Sequence, residues 1–286
     1  MAKARRVPVR SFGSEVEDPA VGELADWVRE RRGSSADLTT YLMERSLQVQ
    51  KGVDIPCAGG LCYGDRWLSS LPGIRDRALV HDLDPVTTDV ERDSLQVVAA
   101  RKGAWVGIPA PHRLEIRDEY FHDPEEACAS LCGAYRDLMR AMRDRGIGGH
   151  VILAGTADPC ELEILAGSRA YYMVRDPTVD DLELILEYQP RIALPARLLP
   201  EVSRLQDEYR VRSISLLDAT PEDLMAASEL LDPGRVETGG YCTGECGEYW
   251  DRLVDRSLIP ASPPPRPAGG SGGSPPSGRT GSGPLG

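Results

Sequence analysis

The stretch HVILAGTADPCELEILAGSRAYYMVRDPTVDDLELILEYQPRIALPARLLPEVSRLQDEYRVRSISLLD, residues 150–218, decides the fold. Four short apolar runs recur in it: His150–Ala154, Ala170–Val174, Arg191–Leu194 and Ser213–Leu217. Their starts lie roughly 20 residues apart, a short but workable strand–loop–helix unit. Gly, Pro or Asp bounds each run, and amphipathic segments fill the gaps, among them Asp180–Tyr188 and Leu199–Tyr209. Strands that alternate with helices pair in parallel through right-handed crossovers, because each helix must pack back onto the sheet.

The same alternation extends both ways. Val53–Pro56, Ala78–Asp82 and Trp105–Pro109 read as strands on the N-terminal side, and Val236–Gly239 on the C-terminal side. Asp89–Arg101, Pro124–Arg145 and Pro221–Leu231 read as helices. Asp123 is placed to cap the second of these, Pro124 suits its first position and Gly146 its end. Eight strands in this rhythm predict an α/β fold, a (β/α)8 TIM-type barrel, with an open doubly wound sheet as the alternative. Ala20–Arg32 and Ser35–Gln50 read as helices, and Arg6–Ser11 as a further strand candidate. The expected organisation is an N-terminal helical segment packed on the barrel over residues 1–50, the barrel over 51–260, and a disordered C-terminal tail over 261–286. The tail is Pro/Gly/Ser-rich and lacks the apolar residues needed to offset chain entropy.

Composition narrows the function classes. A net charge of -12 argues against nucleic acid and anionic membrane surfaces as partners, since both need a dense basic face. No apolar run is long enough for a membrane span, and the basic N-terminus lacks the apolar stretch of a signal peptide, so the expected location is cytoplasmic. Seven cysteines, an odd number in a long chain, point to reduced or metal-holding thiols rather than a disulfide framework. No Gly-x-Gly-x-x-Gly fingerprint follows a strand, and no phosphate-binding Walker loop is present.

In a barrel the residues just past each strand converge on one face. That rule selects His81, Asp82, Asp84, His112, Asp158, Asp176, Arg197 and Asp218 as candidates for acid–base and carboxylate-binding roles. Asp84, Asp158 and Asp176 each precede a proline, so helix capping is the competing role for them. Cys57 and Cys62 flank a Gly-rich turn, and Cys242 and Cys246 flank Thr-Gly-Glu. If closure makes the first and last strands neighbours, these four thiols form a metal set for zinc or an iron–sulfur cluster. Isolated thiols, or a Cys242–Cys246 disulfide, are the alternatives. Cys128 and Cys132, four apart on one helix, read as packing residues, and Cys160 shows no partner.

Two stretches carry a family resemblance. One is Gln48-Val49-Gln50-Lys51-Gly52-Val53-Asp54-Ile55, followed by Gly59-Gly60 and Gly64-Asp65-Arg66. The other is Ile108-Pro109-Ala110-Pro111, then Tyr120-Phe121-His122-Asp123-Pro124-Glu125, then the long helix with Ala134-Tyr135-Arg136. Together they resemble the barrel shared by cobalamin-independent methionine synthase and its uroporphyrinogen-decarboxylase-like relatives. The resemblance implies an enzyme that activates a thiol on zinc, held in the family by a His-x-Cys pair, a Glu and a later Cys. Here His150-Val151-Ile152 supplies only the His, Asp176 stands near the Glu position, and Leu217-Asp218 near the later Cys.

Three functional expectations result. The first is a methyltransferase-like enzyme acting on a small thiol or methylated compound, with zinc, with an iron–sulfur cluster or without metal, and with a corrinoid or other protein as a partner. The second is a metal-free lyase or decarboxylase in which His81, His112 and Arg197 bind a carboxylated small molecule. The third is a non-catalytic barrel acting in assembly.

Overall fold

The computed structural model describes residues 5–31 and 36–259. The tail expected to be disordered therefore lies outside the described residues.

The strands that form the two main sheets are β1 (Val9–Val16), β2 (Cys57–Gly59), β3 (Trp105–Pro109), β4 (His150–Ala154), β5 (Ala170–Val174), β6 (Arg191–Pro195), β7 (Ser213–Leu217) and β8 (Val236–Gly244). One four-stranded sheet has the order β6-β7-β8-β1 and the other β2-β3-β4-β5. Every pairing within them is parallel. The helices are α1 (Val21–Glu30), α2 (Leu38–Gln48), α3 (Gly64–Ser69), α4 (Thr88–Ala100), α5 (Pro124–Asp144), α6 (Pro159–Leu165), α7 (Val179–Tyr188), α8 (Val202–Glu208), α9 (Pro221–Leu230) and α10 (Cys246–Asp255).

The two sheets meet at both edges. On one side, Arg10 of β1 pairs in parallel with Ile55 ahead of β2, and the Ser11 N–H donates to the Ile55 carbonyl at 2.9 Å. On the other side a side chain does the joining. The Tyr172 N–H of β5 donates to Gln189 Oε1 at 2.9 Å, and Gln189 Nε2 donates to the Tyr172 carbonyl at 3.0 Å. Gln189 sits just ahead of β6, and Arg191 of β6 donates to the Ala170 carbonyl at 3.0 Å. The result is a barrel-like α/β architecture.

Strand periodicity sorts the core into two layers. Val151 and Leu153 of β4, Tyr171 and Met173 of β5, Phe12, Cys57, Ala193, Leu217 and Tyr241 pack together on the concave side. Their neighbours Ile152, Ala154, Tyr172, Val174, Ile192 and Leu194 face the helices in the large outer cluster. Each fully buried large side chain contributes about 1.5–3 kcal/mol. Helix α5 shows the local logic. Asp123 accepts from the N–H groups of Glu125 and Glu126, Pro124 occupies the first turn, and Leu131, Tyr135, Leu138 and Met142 form its buried stripe. Gly146, at φ 102°, ends the segment where a Cβ would be strained.

Two expected strands are corrected. Ala78–Asp82 is not part of either main sheet. Ala78–Leu79 pairs antiparallel with Ile74–Arg75 and parallel with Arg117–Asp118 in a separate small sheet. Only Ala78 and Leu79 are buried there, and His81, Asp82 and Asp84 are exposed, so the apolar run is too short to cross a core. Its place is taken by Val9–Val16, which overlaps the further strand candidate Arg6–Ser11 and lies within the segment expected to be a helical extension. Buried polar residues hide the alternation: Arg10 donates through Nε to Glu237, and Ser14 accepts from Gln50 and Trp250. The second strand begins at Cys57 rather than Val53, and β8 runs on to Gly244. The helix expected over Leu199–Tyr209 is a 3₁₀ segment, Ala196–Glu201, followed by α8, because Pro200 interrupts the α-helical bonding.

Candidate functional site

The C-terminal strand ends carry two polar clusters. The first lies where β1, β2, β5, β7 and β8 end. The Tyr241 hydroxyl donates to Glu15 at 2.6 Å and accepts from the Leu61 N–H at 3.0 Å. The Arg175 guanidinium stands 5.7 Å from the centre of the Tyr241 ring. Asp218 adopts φ 52°, a strained value for a non-glycine residue, and accepts a bond from the Tyr249 hydroxyl. Burial pushes the Tyr241 and Tyr249 hydroxyls upward in pKa, reinforced by Glu15 and Asp218 respectively. Cys62, close by, is raised to about 12 by burial and by Glu15.

The second cluster lines a cleft of about 470 Å³ between the ends of β3 and β4 and helices α5 and α6. His112, Glu161, Asp158, Cys128 and Leu131 are among its walls. His112 is held at both ring nitrogens. Its Nδ1 lies 3.0 Å from both Glu161 carboxylate oxygens, while the Gly155 N–H donates to Nε2 at 3.0 Å. Nε2 is thus the acceptor and Nδ1 carries the proton, a tautomer assigned from the bonding. Glu161 also accepts from the His112 N–H at 2.7 Å and from the Tyr172 hydroxyl at 2.7 Å, which satisfies a carboxylate that is 2 % exposed. Asp158 caps α6 through the Glu161 N–H. The backbone at residues 158–161 is therefore fixed from β3, β4 and β5 at once.

Cys160 stands in this fixed turn. Its sulfur is bonded to that of Cys128, and Cys128 Sγ lies 3.9 Å from Cys132 Sγ. Among the described residues, these three form the one group of three or more metal-capable side chains with ligand atoms all within 4.8 Å of one another. Cys132 is fully buried, and burial followed by the Glu161 and Asp158 charges raises its pKa. A cleft of similar size, about 500 Å³, lies at the N-terminal strand ends, lined by Arg210, Arg212, Arg235 and Glu237. It has no thiol or imidazole among its walls, so the α5–α6 cleft is the stronger candidate.

The residues expected from sequence are scattered. Cys242 and Cys246 are bonded to each other, the alternative pairing weighed above. Cys57 is fully buried in the concave cluster, while Cys242 packs in a separate cluster with Val9, Val53 and Trp250. The four thiols are not brought together. His150 is fully buried, points to the helix side of β4, and neither ring nitrogen has a partner among the described residues. Asp176 pairs with Arg197 at the surface, and Thr178 rather than Asp176 caps α7. His81 and Asp82 sit with Tyr120 beside the small sheet. Only His112 and Asp158 reach the thiol-bearing cleft.

The sequence reading missed Cys128, Cys132 and Cys160 as a set. A signal was present. Asp123-Pro124 and Asp158-Pro159 both start helices; Cys128 and Cys160 lie within the first two turns of theirs, and Cys132 one turn further along α5. Consecutive crossover helices pack side by side in the same direction, so their first turns meet.

The fold is similar to that of distantly related solved structures. The structure of a protein from Listeria monocytogenes assigned as a vitamin-B12-independent methionine synthase superposes with a TM-score of 0.50 at 14% identity, over 88% of this chain and 98% of that one. A B12-independent methionine synthase from Shewanella sp. W3-18-1, in complex with selenomethionine, gives 0.48 at 13% identity over 88% and 96%. The tryptophan synthase alpha subunit of Legionella pneumophila gives 0.31 at 13% identity over 88% of each chain. No family model and no curated protein matches the sequence. No helix among the described residues is long and apolar enough to cross a membrane.

Proposed function

We propose that this chain is a (β/α)8-barrel enzyme acting on a small thiol or methylated compound, with zinc held by Cys128, Cys132 and Cys160 in reduced form. The observation that carries the reading is the meeting of three sulfurs beside a cleft lined by Cys128 and by the fixed His112–Glu161 pair. The fold likeness to a methionine synthase, and the two sheets bridged at both edges, support the barrel.

The donor set fits zinc. Tetrahedral zinc with Zn–S bonds of about 2.3 Å sets its sulfurs about 3.8 Å apart, and Cys128 and Cys132 are 3.9 Å apart. His150 does not fit such a centre, because its nitrogens are sealed on the helix side of β4. Cys128, Cys132 and Cys160 would hold the zinc, which would supply activation of a substrate thiol near neutral pH.

The chain's own residues do the positioning. Asp158 and Glu161 hold the turn that carries Cys160, and His112 ties that turn to the ends of β3 and β4. Leu131 gives the cleft wall an apolar side that sheds water. In methyl transfer the substrate thiolate would attack the methyl carbon; the new C–S bond forms as the donor departs with the old bonding pair. The Listeria protein is described as B12-independent, which favours a small methylated donor over a corrinoid partner.

The test uses anaerobically reduced protein loaded with zinc. One zinc per chain is expected, with 2-mercaptoethanol binding observed by calorimetry, and Cys132→Ala should lose both. Reduced, folded protein that takes up no zinc contradicts the reading.

A second reading has its own observation. Arg175, stacked on Tyr241 beside Glu15 and Asp218, forms no ion pair with a carboxylate among the described residues. It suits a carboxylated substrate of a metal-free lyase. Arg175→Ala that abolishes turnover in zinc-free protein would favour it.

A further inference from the structure

Two of the three candidate ligands are already bonded to each other, and this has a chemical consequence. A sulfur in a disulfide is no thiolate, so the Cys128–Cys160 bond leaves Cys132 as the one thiol of the group. We propose that Cys128–Cys160 is an exchangeable pair whose opening by a small thiol entering the α5–α6 cleft assembles the three-thiolate metal site, and whose closing by a small disulfide dismantles it. The proposal rests on the metal reading above and adds to it the regulation of the site by thiol redox state.

The geometry supplies each part. Cys128 lines the cleft and is half-buried, so an incoming sulfur can reach it. Cys160 is anchored on a different helix, α6, in a turn fixed by Asp158, Glu161 and His112. When the bond breaks, that anchor keeps Cys160 near its former partner. Cys132 lies one helical turn beyond Cys128 on the same face of α5, at 3.9 Å, and takes no part in the bond. The same two helices are tied in both states, covalently when oxidised and through the metal when reduced.

The steps balance. A thiolate RS⁻ attacks Cys128 Sγ; the Cys128–Cys160 bond breaks and Cys160 leaves as thiolate with the bonding pair. A second RS⁻ attacks the outer sulfur of the mixed disulfide, releasing RSSR and the Cys128 thiolate. The protein pair gains two electrons and two equivalents of RSH become RSSR. Zinc then displaces the remaining thiol protons. Closing runs in reverse with RSSR as oxidant.

The experiment titrates zinc-loaded reduced full-length protein with glutathione disulfide, following released zinc with a chromogenic chelator and the Cys128–Cys160 link by peptide mapping. Zinc release in step with that link supports the proposal, as does full reloading after glutathione treatment. Cys132→Ala should lose zinc yet still form the link, and wild-type protein compared in its two redox states needs no variant to fold. Zinc retained while the link forms overturns the gating and leaves the metal reading standing. A reduced chain that binds no zinc overturns the metal reading itself. No Cys128–Cys160 link at any glutathione disulfide concentration overturns the exchange.

Discussion

The side-chain amide of Gln189 occupies both backbone hydrogen-bonding groups of Tyr172, as a neighbouring strand would. Gln50 does the same for Cys57 at the opposite edge: it accepts from the Cys57 N–H at 3.0 Å and donates to the Cys57 carbonyl at 2.8 Å. Both glutamines are buried; Gln189 closes the β5–β6 seam, while Gln50 adds to a seam that backbone bonds between β1 and Ile55 already join.

Gln189→Leu should therefore strand two buried backbone groups, each costing about 1–3 kcal/mol. The expected loss is several kcal/mol in urea unfolding, well above the roughly 0.5 kcal/mol of an ordinary surface change. A loss inside that surface range would show that the β5–β6 seam does not need the amide.

His150 makes a pH prediction. Burial, with a smaller contribution from Arg143, lowers its pKa to about 3, from an ordinary value near 6.5. Between those values the unfolded chain binds a proton that the folded chain refuses, so stability falls as pH drops from about 6.5 toward 3 and is unaffected by this group above that window. The limiting slope is about 1.4 kcal/mol per pH unit. His150→Leu should flatten that part of the curve and, since both nitrogens lack partners, leave neutral-pH stability intact or higher. An unchanged slope in the variant would assign the acid sensitivity elsewhere.

The Cys128–Cys160 link closes a loop spanning 32 positions, from α5 through β4 into α6. Its reduction in metal-free protein should cost about 4 kcal/mol in chain-entropy terms. Cys160→Ser should show the same stability with and without reductant, apart from any effect of Cys242–Cys246, which Cys246→Ser isolates.

His112 is a positioning residue for the turn that carries Cys160. His112→Ala should weaken zinc binding by about 10–100-fold while leaving the stoichiometry at saturation unchanged. An unaltered zinc affinity would mean that Asp158 alone sets that turn.

The strands of residues 150–218 were legible because each alternates apolar faces between two packed layers, and their helices begin at capping residues the chain displays openly. Of Val9–Val16 only the start was legible, as the candidate Arg6–Ser11, because its inward polar residues bond to partners distant in sequence, such as Glu237 and Trp250. Ala78–Asp82 misled for the opposite reason: a short apolar pair beside charges resembles a strand end but serves a peripheral sheet. At the site, His112 was visible as a residue after a strand. The thiol group was not, since it depends on two helices aligning their first turns, a relation between elements rather than a spacing within one.

The central claim is that Cys128, Cys132 and Cys160 form one metal centre. Zinc-edge X-ray absorption on anaerobically reduced, zinc-loaded protein tests it most directly. Three sulfur neighbours at about 2.3 Å are expected, falling in number when Cys132 is replaced by alanine. A first shell of nitrogen and oxygen alone, or a sulfur shell unchanged in Cys132→Ala, would contradict it.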